Sequence, residues 1–148
     1  MLQTHADSRV LGYLGRALSL ELSAVQLYTT QARLLGNWGL AEEAALFREE
    51  ATEELGHAER IITRMLALSV APNASQLRPV KVAQNLQELL VYNLSFENEL
   101  VALYTQAVMH CARIGEHDDR VFFEALLDEE RSHAEKLSKW LNKLNNPA

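Results

Sequence analysis

Apolar residues recur at alternating steps of three and four along nearly the whole 148-residue chain. The first of these stripes includes Leu14, Leu18, Val25 and Tyr28. This spacing puts the apolar side chains on one face of an α-helix, and it does not fit a strand, in which every second side chain faces the same way. Glycine (6 residues) and proline (3 residues) are scarce, so a helix has few places to stop. The sequence therefore predicts an all-α fold of long helices.

Breaks in this pattern divide the chain into four predicted helices, from about Ser8 to Leu35, Leu40 to Leu68, Val82 to Ile114 and Asp118 to Leu144. The first and last connections are short, so each helix pair is predicted to form an antiparallel hairpin. The middle connection, residues 69–81, contains Pro72 and Pro79. Fully extended it spans about 40 Å, which suits a long crossover with the second and third helices parallel. We predict that residues 1–148 form a single four-helix bundle domain.

The second half of the chain repeats the first at an offset of 76 residues. Identical residues at matching positions include Glu21 and Glu97, Tyr28 and Tyr104, Phe47 and Phe123, Glu54 and Glu130, and His57 and His133. This repeat predicts two pseudo-symmetric hairpins, and a site on their shared axis would be built from equivalent residues.

One glutamate interrupts each apolar stripe, and the four are Glu21, Glu54, Glu97 and Glu130. Within each predicted hairpin the two glutamates lie equally far from the turn, so they should face each other at one level. A single such glutamate is most often paired with a basic residue or reaches solvent. Four ionised carboxylates in a dry interior need compensation, because burial and mutual repulsion disfavour their charged forms. Two divalent cations would neutralise them.

His57 and His133 strengthen the metal hypothesis. Each follows a stripe glutamate by three residues, so Glu54 and His57, like Glu130 and His133, present oxygen and nitrogen donors on one helical face. Paired glutamates with two Glu-x-x-His motifs are the di-iron pattern of four-helix bundles.

These donors suit Fe, Mn or Zn. We predict that Glu54 and Glu130 bridge two ions, that Glu21 and His57 complete one, and that Glu97 and His133 complete the other. Two Fe(II) ions held together could reduce O2 or peroxide by two electrons, so the predicted activity is Fe(II) oxidation.

Further polar residues lie beside the predicted ligands. Tyr28 and Tyr104 follow Glu21 and Glu97 by two helical turns, and they either pack in the core or support the site as hydrogen-bonding or electron-donating groups. The adjacent acidic patch of Glu49, Glu50 and Glu53 is either a solvated helix face or a path for Fe(II).

Composition excludes several classes of function. A formal net charge of −6 argues against a nucleic-acid partner, because phosphate binding needs a basic face. No apolar run is long enough to cross a bilayer. The lone Cys111 excludes an internal disulfide and a Cys-x-x-Cys site, and the first residues lack a secretory signal pattern, so a cytoplasmic location is expected.

At these residues the sequence resembles the bacterioferritins of the ferritin-like superfamily. The resemblance runs from about Ser8 to Leu141, and it includes the Glu-Leu-Ser-Ala-Val segment at 21–25, the Asn-Trp-Gly-Leu turn at 37–40 and both Glu-x-x-His motifs. It implies a ferritin-like four-helix bundle and a ferroxidase that stores iron in a hollow shell. It also implies that the six donors hold two Fe ions and that Tyr28 matches a tyrosine beside the site.

Two departures from the bacterioferritin pattern change the expectations. Bacterioferritins typically carry a haem-ligating methionine directly after the first glutamate of Glu-x-x-His, at a twofold subunit interface, but this chain has Leu55 there. Haem binding is therefore not expected. The family also usually has a short fifth helix, which is absent from the pattern here, so the expected homo-oligomer is a 24-mer, a 12-mer or a smaller assembly.

Other functions remain open at this point. A rubrerythrin-like peroxidase would use the same di-iron site but usually adds a Cys-rich module. A di-iron oxygenase would need a pocket for an organic substrate. The chain could also be the catalytic subunit of a shell shared with a haem-binding homologue.

Overall fold

The computed structural model describes residues 6–73 and 75–147. These residues form four α-helices, α1 (Ser8–Asn37), α2 (Ala41–Ala67), α3 (Leu86–Ile114) and α4 (His117–Asn145). No strand occurs among them, and the all-α prediction is confirmed. None of the helices in this part of the chain is both long enough and apolar enough to span a membrane. The chain divides into two compact units between Val82 and Ala83.

The first unit is the hairpin of α1 and α2. Asp7 caps α1, because its carboxylate accepts hydrogen bonds from the backbone N–H groups of Arg9 and Val10 at 2.9 and 3.1 Å. The helix continues two residues beyond the predicted end, to Asn37. Gly39 then adopts a positive φ of 80°, a conformation that glycine reaches without strain, and the chain reverses into α2.

The connector after α2 lies along α1. The backbone N–H of Gln76 donates to Ser19 Oγ at 3.1 Å, and that of Arg78 donates to Ser23 Oγ at 2.8 Å. Four helical residues rise by about 6 Å and two extended residues by about 6.6 Å, so the spacings of donors and acceptors match. Because both sets of residues ascend together, the connector runs in the same direction as α1, as a long crossover requires.

The second unit is the hairpin of α3 and α4, and its first boundary differs from the prediction. We predicted that the third helix begins at Val82, but α3 begins at Leu86. Asn85 accepts a hydrogen bond from the N–H of Glu88, and the Glu88 carboxylate accepts one from the N–H of Gln84. The Asn85 side chain thus caps the N–H of Glu88 in the first turn, and the bond from Gln84 holds the chain just before the cap, so the helix starts at Leu86.

Both hairpins bury an aromatic pair at equivalent positions of the internal repeat. The ring centroids of Tyr28 and Phe47 lie 5.8 Å apart at an interplanar angle of 78°, and those of Tyr104 and Phe123 lie 6.2 Å apart at 36°. All four side chains are buried. The repeat seen in the sequence is therefore present in the packing of each hairpin.

Candidate metal centre

Three potential metal ligands of the first hairpin lie at one level in its interior. Glu21 of α1 and Glu54 of α2 are 0% exposed, and His57 of α2 is 3% exposed. The stripe of α1 turns Glu21 inward, and the three-residue step between Glu54 and His57 puts both on the same face of α2. Burial this complete is uncommon for glutamate, which is almost never fully buried unless paired.

The distances in this hairpin suit a shared cation. His57 Nδ1 lies 2.8 Å from Glu21 Oε2 and 3.6 Å from Glu54 Oε1. Ligand atoms of the three side chains all lie within 4.8 Å of one another. Neighbouring ligands of an ion at about 2.0–2.2 Å are roughly 3 Å apart, so only small side-chain adjustments would place the three donors around one ion.

The second hairpin presents the equivalent three residues. Glu97 of α3 and Glu130 of α4 are both 0% exposed, and His133 is 6% exposed. His133 Nδ1 lies 3.5 Å from Glu130 Oε2. Glu97 and His133 also offer ligand atoms within 4.8 Å of each other.

The structure thus places all six predicted donors inside their hairpins, three in each. Carboxylate oxygen with one imidazole nitrogen per hairpin is a hard donor set that fits iron or manganese and accepts zinc. That these residues bind metal stays a prediction. The buried donors fit the metal pair that the sequence suggested, and the class that the structure defines so far is an all-α protein with a candidate metal site.

Tyr28 is buried on α1 in the same hairpin as the first three donors. Side chains on a helix lean toward its N-terminus, and Glu21 lies two turns before Tyr28, so the phenol leans toward the carboxylates. Tyr104 stands in the same relation to Glu97 in the second hairpin. The predicted role of Tyr28 in the chemistry is untested.

Glu50 is one residue whose position the sequence pattern did not resolve. It was grouped with Glu49 and Glu53 as an acidic patch, but it is half-buried while the other two are exposed. A carboxylate oxygen of Glu50 lies within 4.8 Å of one of Glu54. The four-residue step between the two glutamates was the signal, since residues at this spacing share a helix face.

Comparison with known proteins identifies the family. A family model described as a ferritin-like domain matches residues 11–146. A bacterioferritin of Rhodobacter capsulatus is 37% identical over 131 residues, which cover 88% of this chain and 81% of the relative. A bacterioferritin of Brucella melitensis biotype 1 is 33% identical over 138 residues, which cover 93% and 86% respectively.

The solved structure of Rhodobacter capsulatus bacterioferritin resembles this chain with a TM-score of 0.91 at 34% identity, covering 97% of this chain and 89% of that one. This chain therefore belongs to the ferritin-like family, with the bacterioferritins as its relatives. The predicted fold class, a ferritin-like four-helix bundle, is confirmed by this likeness.

Proposed function

We propose that the chain is a ferroxidase that oxidises Fe(II) with O2 or H2O2 at a di-iron site and so supports iron storage and detoxification. The observation that carries this proposal is the burial of two glutamates and one histidine at one level in each hairpin. A function without metal would leave four buried carboxylates to be compensated by other means.

The charge of the two buried glutamates in each hairpin supports one divalent ion per hairpin. Two ionised glutamates and a neutral histidine carry the charge that one divalent cation neutralises. In the proposed site Glu21 and His57 would hold one ion, Glu97 and His133 would hold the other, and Glu54 and Glu130 would be the ligands shared by both. Two bound Fe(II) ions supply two electrons to the oxidant.

The protein's own contribution is to hold the donors and to keep water away. The packing of the helices holds both imidazoles with Nδ1 directed at carboxylate oxygens of the same hairpin. Tyr28 is buried against Phe47, two helical turns after Glu21, and in this proposal it supports the site as a neighbour of the ligands. The Rhodobacter capsulatus structure is described with a metal-free dinuclear site, which supports two metal positions in this family.

Metal stoichiometry tests the proposal directly. Anaerobic titration with Co(II), followed by its visible absorption, should saturate at two ions per chain. Light scattering after aerobic Fe(II) loading should then show a large particle that retains iron. A small particle that turns over peroxide and releases its iron would instead support the rubrerythrin-like peroxidase. A chain that binds no Co(II) would refute both functions.

A separate proposal concerns haem. The Rhodobacter capsulatus bacterioferritin is described with a haem iron, but Leu55 of this chain offers no atom that can ligate iron. Leu55 is 44% exposed, so its side chain faces outward from α2. We propose that this chain binds no haem through position 55.

Reconstitution with haemin tests the haem proposal. The chain should retain no Soret absorbance after gel filtration, whereas Leu55→Met should gain a spectrum typical of methionine-ligated haem, because the thioether supplies the missing ligand. Leu66→Met, at another exposed leucine of α2, is the matched control and should stay haem-free. Stable haem binding by the unaltered chain would contradict the proposal.

A further inference from the structure

Glu50 places an additional carboxylate beside the donors of the first hairpin. It precedes Glu54 by one turn on the same face of α2, and ligand oxygens of the two side chains lie within 4.8 Å of each other. Glu50 is only half-buried, but its Oε2 atom is out of contact with solvent. One side of this residue thus faces the interior while the other reaches the surface.

The internal repeat separates Glu50 from the six duplicated donors. Each of those has an identical counterpart 76 residues away, whereas the counterpart of Glu50 is Leu126, which is fully buried. Packing alone is therefore satisfied by leucine at this position. A second glutamate four residues before Glu54 instead adds like-charge repulsion, which destabilises a helix. A carboxylate at position 50 costs stability, so a role in handling cations accounts for it better than packing.

Exposure decreases from one side of α2 to the other across four glutamates. Glu49 and Glu53 are exposed, Glu50 is half-buried and Glu54 is fully buried. We propose that Glu50 is a transfer ligand, which takes a divalent cation from the solvent-facing side of α2 and passes it to Glu54. The step is a ligand exchange in which a carboxylate oxygen replaces a bound water and no electron moves. This inference rests on the proposed metal site.

The rate of metal entry tests the transfer role apart from catalysis. Stopped-flow mixing of the full chain with sub-stoichiometric Co(II) under argon would compare Glu50→Gln and Glu50→Ala with the unaltered chain. Both variants should load at least about tenfold more slowly, on the scale of other changes beside metal ligands. In the full anaerobic Co(II) titration they should still saturate at two ions per chain. The control is Glu59→Gln, which removes the same charge from an exposed position of α2 and should load within about twofold of the unaltered rate.

Three results would overturn the inference. The first is loading of both Glu50 variants at the unaltered rate. The second is saturation of these variants below two ions, which would make Glu50 a permanent ligand. The third is equal slowing by Glu59→Gln, which would show that only the overall charge matters. If the unaltered chain binds no Co(II), the proposed function fails together with the inference. If it binds two ions and the Glu50 variants load normally, only the transfer role fails.

Discussion

Exchange of Glu54 for alanine is expected to lower the initial rate of O2-dependent Fe(II) oxidation by a factor on the order of 100 or more. Glu54 is fully buried, with Oε1 3.6 Å from His57 Nδ1, and it is one of the two proposed bridges. Without it both ions of the proposed site would lose a shared ligand. The measurement is Fe(III) absorbance with parallel O2 consumption, corrected for oxidation in buffer alone.

Glu59→Ala is the matched control for this variant. It removes a carboxylate from the same helix but from an exposed position, and its oxidation rate should stay within about twofold of the unaltered rate. Circular dichroism would show that both variants remain helical. Full ferroxidase activity in Glu54→Ala would contradict the assignment of this residue to the site.

Divalent metal is expected to stabilise the chain strongly. A ligand at a hundred times its Kd adds about 2.7 kcal/mol to the free energy of unfolding. Two such sites would raise the Tm of a chain of this length by roughly 10–20 °C. The physical reason is that the cations compensate carboxylates that the fold holds away from water. Anaerobic scanning calorimetry with Mn(II), with and without chelator, measures the shift.

Neutral variants provide the control for metal stabilisation. The double variant Glu54→Gln/Glu130→Gln keeps the shape of both side chains but removes two buried charges. Its metal-free form should melt higher than the metal-free unaltered chain, and Mn(II) should shift its Tm by only a few degrees. A Tm of the unaltered chain that does not respond to metal would contradict the expectation.

Helix positions were largely predictable because each apolar stripe runs the length of its helix, broken only by its one glutamate. The first helix was predicted to end within two residues of its actual end, and α4 begins one residue before the predicted Asp118. The start of α3 was missed by four residues. Val82 continues the apolar character of the helix, but the side-chain cap of Asn85 on the N–H of Glu88 sets the start at Leu86. The spacing of apolar residues predicts which face of a helix is buried. The start of a helix depends instead on which groups accept hydrogen bonds from its first backbone N–H groups.

The candidate site was predictable where the distance of a residue from the hairpin turn sets its height along the hairpin. Equal distances from the turn placed Glu21 opposite Glu54, and the structure buries both with His57 between them. Glu50 was not singled out, because an acidic residue next to other acidic residues looks the same in sequence whether it faces solvent or a neighbouring carboxylate. The fold separates Glu50 from Glu49 and Glu53 by half-burying it while they stay exposed.

The hydrogen bonds from the connector to Ser19 and Ser23 assign that segment to the first half of the chain. Cleavage of the peptide bond after Val82 would therefore leave the hydrogen bonds of Gln76 and Arg78 with α1 inside the first fragment. The protein could then be expressed as two complementary fragments, each with three of the six proposed donors. Metal uptake by the mixture, compared with either fragment alone, would report whether the halves reassemble without a covalent link.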